Sequence, residues 1–123
     1  IDIEHSIKTI NPRKDLNDYL EPTFNKKYPQ HKHKIKVFYV DEVVSKERNL
    51  ILMGRADDIN STSVTIFKHG NKEIAHEVFH ALGLYHTFDP RTKYPMRTNT
   101  TRNIMDYAPG HRYYSHIWQW NKL

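Results

Sequence analysis

The sequence contains no cysteine and only four glycines among its 123 residues. The lack of cysteine excludes disulfide bonds, thiolate metal ligands and a cysteine nucleophile. No apolar run approaches the roughly 18 residues that a membrane-spanning helix requires, so we expect no membrane partner. The length predicts a single domain over residues 1–123. Eight tyrosines, five phenylalanines and two tryptophans argue against a disordered chain.

Acidic residues are fewer than basic ones: the sequence has 14 Asp and Glu and 19 Lys and Arg, so the formal net charge is +5. The densest basic group consists of Lys26, Lys27, His31, Lys32, His33, Lys34 and Lys36. Such a group is either a solvated surface or a contact for an anionic partner or acidic substrate. Because no glycines and aromatics alternate as in RNA-binding or DNA-binding modules, we expect no nucleic acid partner.

The spacing of apolar residues predicts an α+β fold. Alternation predicts strands over residues 1–10, 34–44 and 63–67, and helical spacing predicts helices over residues 13–27, 72–82 and 115–121. Pro22 is expected to break or bend the first helix, because proline lacks the N–H of a helical hydrogen bond. Gly83 is placed to end the second helix.

One segment, which begins at His76, reads HEVFHALGLYH and carries the chemistry of this chain. His76 and His80 are four residues apart, so on a helix both imidazoles lie on one face and can reach one zinc ion. Glu77 is placed to act as general base toward a water on that metal. If the chain turns at Gly83, His86 returns to the same ion. Three histidine ligands leave a position for water, which is typical of a catalytic zinc site.

This segment matches the HExxHxxGxxH signature of the metzincin metallopeptidases. Within that clan the chain most resembles the pappalysin family, through Gly83–Phe88 and the run NIMDY at residues 103–107. The resemblance implies a minimal metzincin-like zinc peptidase core, an α+β fold with a small twisted sheet, an active-site helix and a C-terminal helix. It also implies a methionine turn at Met105. The cysteines that pappalysins usually carry are absent.

The resemblance also implies the roles of the site residues. His76, His80 and His86 would hold Zn²⁺, and Glu77 would be the catalytic base. Tyr107 resembles the tyrosine that in several metzincin families acts as a fifth metal ligand or an oxyanion donor. The alternative for Tyr107 is a packed, hydrogen-bonded side chain, and the sequence leaves both open.

The resemblance suggests where a substrate would lie. Tyr113, Tyr114 and His116 are candidates for the wall of a substrate pocket, with burial in the core as the alternative. Substrate peptides commonly add a strand to a sheet edge, and we expect that edge near residues 50–56.

Together these patterns predict a zinc endopeptidase that acts on proteins or peptides as a monomer. We expect it to be secreted, or delivered outside the producing cell as the effector or toxin module of a larger protein. The first residue is Ile1 rather than Met, which favours a fragment or a processed product. The alternative function is a catalytically silent, zinc-containing peptide-binding module, against which the intact Glu77 counts.

Overall fold

The fold is of the α+β class, as the sequence predicts. The computed structural model describes residues 15–40, 44–45, 50–51, 53–67 and 73–123, so the predicted strand over residues 1–10 lies outside it. In chain order the elements are α1 (Asp15–Lys27), a 3-10 turn (Pro29–His31), β1 (Lys36–Val40), β2 (Val44–Ser45), β3 (Leu50–Ile51), β4 (Gly54–Ala56), β5 (Ser63–Phe67), α2 (Ile74–Ala81) and α3 (Ile117–Trp120). No helix in these ranges is long and apolar enough to cross a membrane.

A three-stranded sheet, in the order β1-β5-β4, organises the described residues. β1 runs parallel to β5 with Lys36 opposite Ser63, and β4 runs antiparallel to β5 with Gly54 opposite Ile66. β2 and β3 form a separate antiparallel pair. All five residues of β5 are buried, as expected for a central strand covered on both faces. β4 is therefore left as an edge of the larger sheet.

The side chains of β5 alternate between two apolar clusters. Val64 and Ile66 pack with Ala81 of α2 on one face of the sheet. Phe67 packs with Leu20 of α1 on the other face. Burial of these apolar surfaces holds α2 against the sheet, and this contact positions the residues that α2 carries next to β4.

The helices and strands match the sequence predictions closely only where the periodic signal is strong. The strand predicted over residues 63–67 is confirmed, whereas the strand predicted over 34–44 is limited to Lys36–Val40 in the described residues. The helix predicted over 72–82 is found as Ile74–Ala81, with residue 72 outside the described part. The helix predicted over 115–121 is shorter, a single turn over Ile117–Trp120.

Of the expected break or bend at Pro22, the break does not occur, since α1 continues from Asp15 to Lys27. Proline removes one hydrogen bond, but its ring is exposed here. Apolar contacts on both sides of it compensate: Leu20 packs against Phe67, and the Phe24 ring lies edge-on to a phenylalanine of β1 at 6.0 Å.

Gly83 ends α2, as the sequence predicts. Its φ of +104° lies in the left-handed region, and Leu84 N donates to Phe79 O at 2.9 Å in the hydrogen bond that closes such helix ends. A Cβ at this position would lie 2.4 Å from Oδ1 of Asn60. Glycine is therefore required both by the backbone conformation and by the close approach of a neighbouring loop.

We predict that Gly83→Ala lowers the free energy of unfolding by at least about 1–2 kcal/mol, the cost of a left-handed conformation for a residue with a Cβ. Chemical denaturation followed by circular dichroism measures the change. The variant Asn60→Gly/Gly83→Ala removes the close contact but not the strain, so it should recover part of the loss. Equal stability of Gly83→Ala and the wild type would contradict this account.

Candidate metal centre

The fold brings three imidazole nitrogens together beside β4. The Nε2 atoms of His76, His80 and His86 lie 3.0–3.3 Å from one another. His76 and His80 are buried on α2, and His86 is half-buried in the segment that follows the turn at Gly83. The three residues that the sequence predicts as ligands therefore form a cluster that could hold a metal ion.

Backbone carbonyls fix the orientation of two of these rings. Nδ1 of His76 donates to Ile104 O at 2.7 Å, and Nδ1 of His80 donates to Leu84 O at 2.7 Å. A carbonyl oxygen only accepts, so the proton of each neutral ring is on Nδ1 and the Nε2 lone pair is free. Carbonyl partners of this kind are characteristic of histidines that ligate a metal through the other nitrogen.

The histidine cluster is electrically neutral without a metal. Burial lowers the pKa of His76 to about 4 and that of His86 to about 4, and it also lowers the pKa of His80. The Nε2 atoms of His76 and His80, 3.2 Å apart, then face each other as two acceptors without a proton between them. A cation between the rings would turn this repulsion into attraction.

The spacing of the three nitrogens suits a small metal ion. Four-coordinate zinc with nitrogen ligands at about 2.0–2.1 Å places those ligands about 3.3 Å apart in a tetrahedral arrangement. The observed separations of 3.0–3.3 Å match this value closely. The donor set and its spacing therefore fit such an ion without rearrangement of the rings.

A buried amide pair supports the carbonyl that orients His76. Asn103 and Gln119 are almost fully buried, and Asn103 Nδ2 donates to Gln119 Oε1 at 2.7 Å. Asn103 Oδ1 in turn accepts from Met105 N at 2.8 Å. These contacts hold both sides of Ile104, so the C-terminal helix α3 is linked to the histidine cluster through side-chain hydrogen bonds.

Met105 and Asp106 order the loop that closes the centre from one side. Met105 is fully buried, and its carbonyl accepts from the backbone N–H of Thr87, next to His86. The Asp106 carboxylate accepts from the backbone N–H groups of Asn99, Thr101 and Tyr107, and these hydrogen bonds contribute to its lowered pKa against the opposing effect of burial. This loop has little regular structure, so side-chain acceptors replace a backbone ladder.

Glu77 lies where β4 meets α2. Its Oε2 accepts from Ala56 N at 2.6 Å, which fixes the carboxyl group against the edge strand. A Cβ on Gly54 would lie 3.0 Å from Glu77 Cγ, so any larger residue here would displace the Glu77 side chain. Burial raises the pKa of Glu77 to about 7. The carboxyl group is thus held close to the histidines in an environment that makes it a stronger base.

Tyr107 is packed against the ligand rings but is not buried. Its ring stacks on His76 with centroids 5.7 Å apart and contacts His86 at 4.5 Å, while 54% of the residue is exposed. Burial of its hydroxyl and the nearby Glu77 raise the pKa of Tyr107. This position leaves both roles of Tyr107 open, because its ring contacts the histidines and also faces solvent.

A cleft of about 400 Å³ connects these groups. Its walls include all three histidines, Glu77, Tyr107 and the whole of β4. A smaller cavity of about 360 Å³ adjoins it on the side of Glu77 and Arg112. The sequence-predicted site residues are therefore brought into one solvent-connected space.

The three pocket-wall candidates line neither of these two cavities. Tyr113 is 72% exposed, and Tyr114 instead offers its carbonyl to Ile104 N at 2.8 Å, which supports the loop under His76. Sequence reasoning missed Arg112, which pairs with Glu73 and donates to the carbonyl of Asp106. A single arginine outside any motif gives no signal in the sequence.

No known protein family matches the chain, and neither the curated proteins nor the solved structures contain a detectable relative.

We predict that Gln119→Ala weakens metal binding about tenfold, at the low end of the range for the loss of a residue that supports metal ligands. The substitution leaves Asn103 Nδ2 and the N–H of His116 without their partner, so the Ile104 carbonyl loses its fixed position. Competition titration of Zn²⁺ against a chromophoric chelator measures the dissociation constant. The absorption spectrum of the Co²⁺-loaded protein reports the ligand geometry.

The control for this prediction is Asn121→Ala, which removes an exposed amide just beyond α3. It should leave both the dissociation constant and the Co²⁺ spectrum unchanged. Wild-type affinity in Gln119→Ala would show that the buried amide pair does not support the ligands.

Proposed function

We propose that this chain is a zinc-dependent endopeptidase of the metzincin type, in which Glu77 acts as the general base. The observation that carries the proposal is the convergence of three neutral histidine nitrogens and a half-buried carboxyl group on one cleft. The histidine cluster alone, or the carboxyl group alone, can be explained by a purely structural role. Their combination beside an exposed sheet edge is the arrangement that metal-assisted peptide hydrolysis requires.

The ligand set favours zinc. Three neutral imidazoles, two of them oriented by backbone carbonyls, are typical of zinc sites that keep a fourth position open, whereas calcium and magnesium prefer oxygen ligands. When bound, zinc supplies a Lewis acid that polarises a carbonyl group and lowers the pKa of water.

Glu77 contributes the proton transfer. Its carboxyl group is fixed by Ala56 and desolvated, so it can take a proton from water and deliver it to the amine that leaves when the peptide bond breaks. Desolvation raises the proton affinity of a carboxylate, and a fixed carboxylate loses no conformational freedom as the reaction proceeds. This carboxyl group therefore has the properties expected of a general base.

The edge of β4 offers hydrogen bonds to an extended substrate. The backbones of Met53 and Asp57 bond to β5, so the alternate residues Gly54 and Ala56 turn their backbone groups away from β5 and toward the cleft. Ala56 N already donates to Glu77, so an added peptide strand would use the remaining outward-facing backbone groups of Gly54 and Ala56. This edge falls within the region, residues 50–56, where the sequence predicts substrate binding.

We predict that Glu77→Gln lowers kcat/KM for a cleaved peptide about 10³-fold, within the range for loss of a general base. The amide keeps the size of the side chain but cannot take a proton, and the metal ligands are untouched. Mass-spectrometric peptide digestion measures the rate, and elemental analysis of the same samples measures the zinc content, which should not change.

The matched control is Glu21→Gln on α1, where the carboxylate pairs with Lys36 on the opposite side of the sheet from α2. It should cleave at the wild-type rate. Equal rates for Glu77→Gln and the wild type would contradict the catalytic assignment. Peptide binding without turnover in the zinc-loaded wild type would instead support the silent binding module.

We predict that a chelator abolishes cleavage and that stoichiometric Zn²⁺ restores it. His86→Ala should lack both stoichiometric zinc and activity, because two histidines cannot hold the ion as three do. Activity that persists after the metal content has fallen to zero would contradict a metal-dependent mechanism.

A further inference from the structure

A second cavity, of about 450 Å³, lies next to the metal cleft. Its lining includes Tyr85, Arg91, Thr92, Lys93, Trp118 and Lys122. Tyr85 and Arg91 also line the metal cleft, so they form a wall shared by the two spaces. The two cavities therefore adjoin at this wall, and we call the second one the cationic cavity.

The charges of the cationic cavity all have one sign. Its described lining holds one arginine and two lysines and no carboxylate. Arg91 is bound by both oxygens of Asp89, at 2.9 and 2.7 Å, so its charge is largely compensated. Neither Lys93 nor Lys122 forms an ion pair with any carboxylate in the part of the chain that the structure describes.

Aromatic rings hold the two lysines in place. Lys122 Nζ lies 4.5 Å from the centre of the Tyr85 ring. The Arg91 guanidinium lies 4.0 Å from the centre of the same ring. Lys93 Nζ lies 5.3 Å from the centre of the Tyr94 ring. These cation–π contacts reduce the freedom of long side chains without neutralising their charge.

The remaining lining suits a side chain rather than a bare ion. Leu84 and Trp118 provide apolar surface. A carboxylate carried on methylene groups would meet positive charge and apolar contacts together.

We propose that the cationic cavity binds an acidic side chain of the polypeptide that occupies the metal cleft, and so selects substrates with Glu at one position away from the scissile bond. This inference rests on the proposed peptidase function. Lys93 and Lys122 supply the unpaired charge, and Trp118 packs against the aliphatic part of the bound side chain. Part of the net charge of +5 would thus bind the acidic side chain of a substrate at this site.

The test compares peptides that are identical except for Glu or Gln at one position, scanned along the peptide. The zinc-loaded wild type should prefer Glu about fivefold in kcat/KM at one position, with the difference in KM, which is the effect of an ion pair of about 1 kcal/mol. The double variant Lys93→Gln/Lys122→Gln should abolish the preference and leave cleavage of the Gln peptide unchanged. High salt should reduce the preference of the wild type.

The matched control is Lys32→Gln/Lys34→Gln, which removes the same charge from two exposed lysines of the basic group before β1. This variant should keep the wild-type preference. Equal cleavage of the Glu and Gln peptides by the wild type at every position would overturn the proposal, as would loss of the preference in the control variant.

Direct binding separates this proposal from the proposed function. If the wild type cleaves neither peptide, the peptidase function fails, and isothermal titration of the Glu and Gln peptides then tests the cavity alone. About fivefold tighter binding of the Glu peptide, lost in Lys93→Gln/Lys122→Gln, would support the cavity as an acidic side-chain site. Equal affinity for the two peptides would overturn it.

Discussion

The constraint on which this structure depends is the close packing of three neutral imidazole nitrogens, two of them on buried residues. His76 and His80 both present unprotonated Nε2 atoms, 3.2 Å apart, because their Nδ1 protons are used by backbone carbonyls. In the neutral rings neither of these two nitrogens can donate to the other, whereas a metal ion would accept a lone pair from both and from His86. A metal ion bound here would therefore couple its binding to the packing of α2 against the C-terminal segment.

The segment around residue 104, which lacks regular secondary structure, supports the histidine cluster. The carbonyl that orients His76 belongs to residue 104, in a segment that forms only an isolated β-bridge with Tyr114 and no strand. That segment is held by the buried Asn103–Gln119 pair and by the Asp106 carboxylate. Regular elements supply the rigid side of the site: β5 buries α2, and β4 fixes Glu77 through Ala56. The cleft lies between these regular elements and the irregular segment.

Features set by neighbours in the sequence could be predicted, and features set by distant contacts could not. The ligand spacing on α2, the helix end at Gly83 and the strand β5 follow from local periodicity and backbone preference. The Glu77 contact to Ala56 spans 21 residues, and the Asn103–Gln119 pair spans 16. No helical or strand periodicity in the sequence relates the two residues of such a pair. Tertiary packing also overrode a strong local signal at Pro22, where contacts on both sides keep α1 continuous.

The most direct test of the central claim is X-ray absorption spectroscopy at the zinc edge of the purified protein. The account predicts stoichiometric zinc with four ligands at about 2.0–2.1 Å, three of which show the scattering pattern of imidazole. Loss of one imidazole in His86→Ala would support the assignment. A protein without stoichiometric zinc after loading, or zinc with an all-oxygen shell, would contradict it.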